Sequence, residues 1–207
     1  RNCLVGSEMC IRDRNKEMAE GSPHLEVFKQ KKLDVLFLTD PIDTFWLSMA
    51  GEFQDRKFVS ITKGDIDLTA FSDDKKEKEK KPPAGMKGLV EKIKEILGEN
   101  VQDVKVSTKL VDSACCLVAP DTGMDVQMER IMKIQNKDFK GMPRILEINP
   151  DHNIIKKLNK IKDTDKDALN DASFLLFDQA KMVEGELPND IAKFNQRMSK
   201  FLGIALN

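Results

Sequence analysis

Ser22–Trp46, SPHLEVFKQKKLDVLFLTDPIDTFW, decides the fold, because these 25 residues hold a helix, a strand and the start of a second helix. Ser22 is placed to cap a helix whose first residue, Pro23, sits where a missing N–H costs nothing. Leu25 and Phe28 fall on one face at i and i+3. Lys29, Lys31 and Lys32 put positive charge in the last turn, where the helix dipole favours it. Leu33–Leu38 then reads as a strand. Its unbroken apolar run, Val35 to Leu38, predicts cover on both faces, as in layered α/β domains. Asp40 and Pro41 repeat the cap and N1-proline device, so the next helix follows almost at once and runs to about Phe53. Phe58–Thr62, FVSIT, reads as a further strand.

The whole chain has 207 residues, enough for one large domain or two small ones. Its 34 basic and 35 acidic residues nearly cancel, leaving a net charge of -1. That balance argues against a nucleic-acid or anionic-membrane partner. No apolar run approaches the roughly 18 residues of a membrane span, so a soluble cytoplasmic protein is expected. There is no Tyr, but there are 10 Met, and methionine suits adaptable surfaces.

Arg1–Arg14, RNCLVGSEMCIRDR, has no periodicity and too short an apolar run for a signal peptide. Met9–Asp13 is what ATG TGT ATA AGA GAC encodes, which resembles a transposon-end adaptor of sequencing libraries. Residues 1–20 are therefore read as an artefactual or disordered leader without function. Residues 21–71 form the first unit. Ser72–Gly88, SDDKKEKEKKPPAGMKG, has linker composition, and the double proline stops any helix within it. Residues 89–207 form a second unit of mixed α and β.

In that unit Leu89, Ile93, Ile96 and Leu97 make a helical stripe that Gly98 can end. Val101–Ser107, Ala114–Ala119 and Arg144–Ile148 read as strands. Met124, Met128, Ile131 and Met132 lie on a helix capped by Asp121 or Thr122. Asn149 with Pro150 opens a short helix holding Ile154, Ile155 and Leu158. Two helices finish the chain, about Ala168–Glu184 and about Asn189–Leu202, with Gly185 as the stop between them. Leu169, Ala172, Leu176 and Val183 stripe the first; Ile191, Phe194, Met198 and Phe201 stripe the second. Phe174, Leu175 and Phe177 add apolar surface to the first helix, which needs cover from more than its hairpin partner. Either the unit's own sheet or a second copy can supply it.

No phosphate loop, zinc spacing, nucleophile elbow or redox cysteine pair occurs, and no catalytic, cofactor or metal residues are assigned. Asp40 and Asp43 are better explained as cap and first-turn residues than as a catalytic pair. Asp151 and His152 stand in a capped first turn without a nucleophile and are read as structural. Cys115 and Cys116 alternate in an apolar strand and read as buried small hydrophobes. Glu147, inside the strand RILEI, reads as part of a solvated face; pairing with Arg144 or Lys133 is the alternative.

The blocks LVDSACCLVA, MDVQMERIM, RILEINPDH and LLFDQAKMVEGELPND, in that order after the Ser22–Trp46 segment, resemble the ninety-kilodalton heat-shock chaperone family (heat shock protein 90) of the bacterial HtpG type. The resemblance spans about Gly21–Leu202. It implies an α/β and α+β fold: a helix-strand-helix remnant of an α/β/α middle domain, then a small carboxy-terminal domain ending in a dimerising helical hairpin. It implies a homodimer built by pairing the last two helices of each subunit, with Leu176, Val183, Ile191, Phe194, Met198 and Phe201 at the interface. It also implies binding of unfolded or partly folded clients on exposed apolar helices, with Phe45, Trp46, Met49, Met124, Met128, Ile131 and Met132 as the contacts. The family's ATP and magnesium belong to an amino-terminal domain upstream of this segment, so no enzymatic activity is expected of the segment itself. The ending IALN differs from the acidic Met-Glu-Glu-Val-Asp tail of eukaryotic cytosolic members, so no tetratricopeptide co-chaperone is expected. The alternative function is a purely structural dimerisation scaffold.

Overall fold

The computed structural model describes residues 4–6, 20–37, 49, 52–53, 56–62, 85–120, 132 and 142–206. The fold is mixed α and β. It divides into two compact units, Arg1–Lys80 with Val118–Met142, and Lys81–Leu117 with Pro143–Asn207.

In the first unit Ser22 caps as expected, its Oγ accepting the His24 N–H at 3.3 Å. A 3-10 turn, Pro23–Leu25, leads into α1, Glu26–Gln30. The helix ends on Lys32, whose φ of 53° lies in the left-handed region. Lys32 N–H donates to Lys29 O at 3.1 Å and Leu33 N–H to Phe28 O at 2.9 Å, the paired bonds of a Schellman motif. That motif normally uses glycine; here a lysine bears the backbone strain.

Strand β1 is Leu4–Gly6 and β2 is Val35–Phe37. A short antiparallel pair follows, β3 (Glu52–Phe53) with β4 (Arg56–Lys57), and then β5, Val59–Ser60. The order β2-β1-β5 makes a parallel sheet, so three residues of the segment read as a structureless leader occupy its centre. Leu25, Val27, Phe28 and Ile61 form the core, with Leu33, Val35 and Phe37 packed against it. Leu36 is 45% exposed, so β2 is covered mainly on one face and not on both. Phe53 is in a strand and not at the end of a helix; Gly51, a poor helix residue, precedes the pair. Leu38, Asp40, Pro41 and Asp43 lie outside the described residues.

The second unit opens with α2, Met86–Leu97, which starts inside the segment read as linker. Gly85, at φ 81°, precedes it, and its carbonyl accepts from Lys162 Nζ at 2.6 Å. Met86, Leu89, Ile93 and Leu97 are buried along one stripe. A 3-10 turn, Gly98–Asn100, delivers the chain to β6, Val101–Val106; β7 is Cys115–Val118 and β8 is Arg144–Ile148. Their order is β6-β8-β7, with β6 and β8 parallel. Val101 aligns with Arg144 and Asp103 with Ile145, so Gln102 is an extra residue, a bulge. The bulge restores phase, bringing Val101 to the same side as Val104 and Val106. That side joins Leu146, Ile148, Cys115 and Leu117 under the helices.

Helix α3, Asn153–Ile161, does not begin at Asn149. Its cap is His152, whose Nδ1 accepts the Ile154 N–H at 3.2 Å. Asn149, only 1% exposed, is instead a hub. Its Nδ2 donates to Val111 O at 3.1 Å and Ser113 O at 3.0 Å, while its Oδ1 accepts from Asp151 N at 2.9 Å. These bonds tie the loop between β6 and β7 to the end of β8. Two helices close the unit, α4 (Lys166–Val183) and α5 (Ile191–Ala205).

Candidate interaction surface

Asp165 caps α4, its carboxylate accepting the Ala168 N–H at 2.9 Å. The helix stops at Gly185, φ 76°, with Gly185 N–H on Met182 O and Glu186 N–H on Lys181 O, both at 2.9 Å. This second Schellman motif has the glycine it calls for. Arg144, 7% exposed, fixes the turn by pairing with Glu186 at 2.8 Å. Asp190 then caps α5, accepting the Lys193 N–H at 3.0 Å, and that bond holds the Asp190 carboxyl below its ordinary pKa.

The two helices are covered very differently. On α4, Leu169, Ala172, Leu176, Phe177 and Ala180 belong to the unit's own core. On α5 no residue is buried. Helix α5 rests on α4 through partly buried Phe201 and a polar clamp. Asp171 of α4 meets Arg197 at 3.4 Å and Lys200 at 2.6 Å, while the Arg197 guanidinium lies 4.3 Å from the Phe174 ring centre. Lys181 Nζ also donates to Asn189 Oδ1 at 2.6 Å, holding the start of α5.

Among the uncovered residues of α5 are large apolar ones. Ile191 is 52% exposed, Leu202 54% and Ile204 64%. Ile191, Met198 and Leu202 follow at i, i+7 and i+11, within about 40° of one another on the helix at 3.6 residues per turn. Val183 and Leu187, at 47% and 72% exposed, border the same bend of the chain. Of the interface residues expected from sequence, Val183 and Ile191 are exposed, and Phe194, Met198 and Phe201 are half-buried. Leu176 is not available: it is 3% exposed in its own core, because α4 packs on the sheet. Leu187, Leu202 and Ile204 are exposed too and were not among the residues expected from sequence. An apolar residue in the polar turn GELPND, and the i+11 spacing from Ile191, were the signals.

Of the expected client contacts, Met49 is 88% exposed and Met132 38% exposed. Phe45, Trp46, Met124, Met128 and Ile131 lie outside the described residues.

The remaining polar candidates serve the fold. Glu147 is 5% exposed and accepts the Ser107 hydroxyl at 2.7 Å, while Arg144 pairs elsewhere. It is therefore a buried carboxylate, not part of a solvated face. Ser107 Oγ in turn accepts from Lys109 N at 3.2 Å and Leu110 N at 3.3 Å. Cys115 and Cys116 are buried and free, and burial pushes the Cys115 thiol up to about 12. Cys116 is raised by burial first and then by the Glu147 charge. Neither behaves as a nucleophile at neutral pH. Among the described residues no cluster of metal-ligating side chains occurs, and no helix is long and apolar enough to cross a membrane.

The family model described as Hsp90 protein matches residues 10–207. The chaperone protein HtpG of Burkholderia ambifaria is 40% identical over 186 residues, 90% of this chain and 29% of that protein. HtpG of Burkholderia cenocepacia (strain HI2424) gives the same identity and coverage. The chain thus spans about 29% of the length of these curated relatives. An alignment running through both units, from the Ser22 cap to the α4–α5 hairpin, means that the chain belongs to the Hsp90 protein family.

Proposed function

We propose that this segment joins two protomers of an ATP-dependent cytoplasmic chaperone of the HtpG type and presents apolar contacts to unfolded or partly folded clients. The observation that carries the reading is the cover of α5: a helix with no buried residue exposes Ile191 and Leu202 on one face, with half-buried Met198 between them. Monomeric soluble proteins rarely leave such a contiguous apolar stripe open, and a second copy of the same stripe is the self-complementary cover that a two-fold dimer supplies. Val183, Ile191, Phe194, Met198 and Phe201 are the interface residues, joined by Leu187 and Leu202. Leu176 acts only as core.

Client contact is assigned to Phe45, Trp46, Met49, Met124, Met128, Ile131 and Met132, where flexible methionines repack against varied partners. ATP and magnesium act elsewhere in the full-length protein, and this segment carries no chemistry of its own. Sedimentation velocity across a concentration series tests the joining role, with a reversible monomer–dimer equilibrium as the expected result. Suppression of a model protein's aggregation tests the client role. Trp46→Ala with Met128→Ala is expected to lower suppression while leaving the dimer intact, and unchanged suppression would leave only the scaffold reading.

A further inference from the structure

Helix α5 carries three cations, Lys193, Arg197 and Lys200, and no acidic residue. Spaced at i, i+4 and i+7, they fall within about 60° of one another. Helix α4 answers with Asp167, Asp171 and Asp178, at i, i+4 and i+11, which fall within about 40°. The two stripes meet at Asp171, whose side chain is 22% exposed and whose two oxygens take Arg197 at 3.4 Å and Lys200 at 2.6 Å. The Asp171 bond pushes the Lys200 pKa up, and the charges of Asp171, Asp167 and Asp165 add to the rise. The Arg197 charge reaches Asp178 as well. Apolar cover is thin beside this: Phe194, Met198 and Phe201 are no more than half-buried, and no α5 residue is buried. An isolated surface ion pair adds little, but a partly shielded carboxylate shared by two cations is a network.

We propose that α5 is an electrostatic strap: it docks on α4 by its basic stripe and lifts away as ionic strength rises, while α4 and the sheet beneath it stay folded. This does not rest on the dimer reading. Attraction between partly exposed charges is screened beyond about 10 Å in about 0.1 M salt and beyond about 3 Å in about 1 M. Burial of apolar surface is not weakened by salt in this way, so the salt response separates the two ways of holding α5. Helix α4 does not follow α5, because Leu169, Ala172, Leu176, Phe177 and Ala180 anchor it in the core. Lifting the strap uncovers Phe174, whose ring now lies 4.3 Å from the Arg197 guanidinium. The strap thereby sets whether this side of α4 is open to a partner.

The test is native-state hydrogen exchange of the whole chain in about 0.1 M and about 1 M sodium chloride at one pH, with the Leu175–Ala180 amides of α4 as internal reference. In the unaltered protein, protection of the α5 amides falls about three- to tenfold relative to that reference as salt rises. Asp171→Asn and Lys200→Gln each lower α5 protection at the lower salt and shrink the salt response. The Lys200 side chain is 50% exposed, so its variant leaves the core intact even if Asp171→Asn fails to fold. Protection of α5 that salt leaves unchanged or raises overturns the proposal, and so does a loss shared equally by α4. Repeating the exchange at two protein concentrations separates the strap from association. A loss equal at both belongs to the strap, whereas one confined to the lower concentration is dissociation of copies and overturns it.

Discussion

The Arg197 guanidinium lies 4.3 Å from the centre of the Phe174 ring, with its Nε 3.4 Å from Asp171 Oδ1. Since α5 buries no residue of its own, this contact does much to decide how the helix lies on α4 and which way its apolar stripe faces. Arg197→Ala is expected to cost about 1–2 kcal/mol, and Phe174→Leu less. A double-mutant cycle between them, read by denaturant unfolding, is expected to give a coupling of about 0.5–2 kcal/mol. A coupling near zero would mean that the ring and the guanidinium are neighbours without mutual attraction.

Asn149 makes three hydrogen bonds from a nearly inaccessible position. Asn149→Ala leaves the Val111 and Ser113 carbonyls without that donor and is expected to destabilise the second unit by about 2–4 kcal/mol. Asn149→Asp keeps one acceptor but loses both donors and is expected to fare little better. Thermal unfolding of both variants checks this.

Lys32 holds a backbone conformation that glycine adopts freely. Lys32→Gly is expected to stabilise the end of α1 by about 1 kcal/mol, offset in part by the greater freedom of glycine in the unfolded chain. Protection of the Lys31–Leu33 amides against exchange measures it. A loss of protection would show that the lysine side chain matters more than its strain.

Cys115 and Cys116 are expected to resist alkylation in the native protein at about pH 8, since both are buried, with the Cys115 thiol pushed up to about 12 and the Cys116 thiol raised well above its ordinary value. Both are expected to react once the chain is unfolded in guanidinium. Peptide mass spectrometry distinguishes them from Cys3 and Cys10, and rapid native labelling of either would contradict their buried placement.

Local chemistry was the legible part of this fold. Ser22 caps, Gly185 stops α4, Arg144–Ile148 is a strand, and Leu89, Ile93 and Leu97 line one face of a helix, because each depends on residues within a turn or two. Long-range contacts were not legible. The burial of Glu147 depends on a hydroxyl 40 positions away, at Ser107. Asn149 carried a strong helix-start signal beside Pro150, yet its side chain is committed to loop carbonyls 36 and 38 positions earlier. Nothing in the residue type announces that Lys32 adopts a left-handed conformation. In the hairpin, apolar periodicity identified both helices but could not say which stripe the sheet would cover, so it did not show that Leu176 is buried and Leu202 exposed.

In the proposed dimer the open stripe of α5 is covered by a second copy of itself. Size-exclusion chromatography with light scattering at micromolar concentration tests it on the unaltered chain and on Ile191→Asp with Leu202→Asp. A dimer is expected for the first and a monomer for the second, with helical circular dichroism retained in both. A monomeric parent chain, or a variant that stays dimeric with two new carboxylates in the stripe, would contradict it.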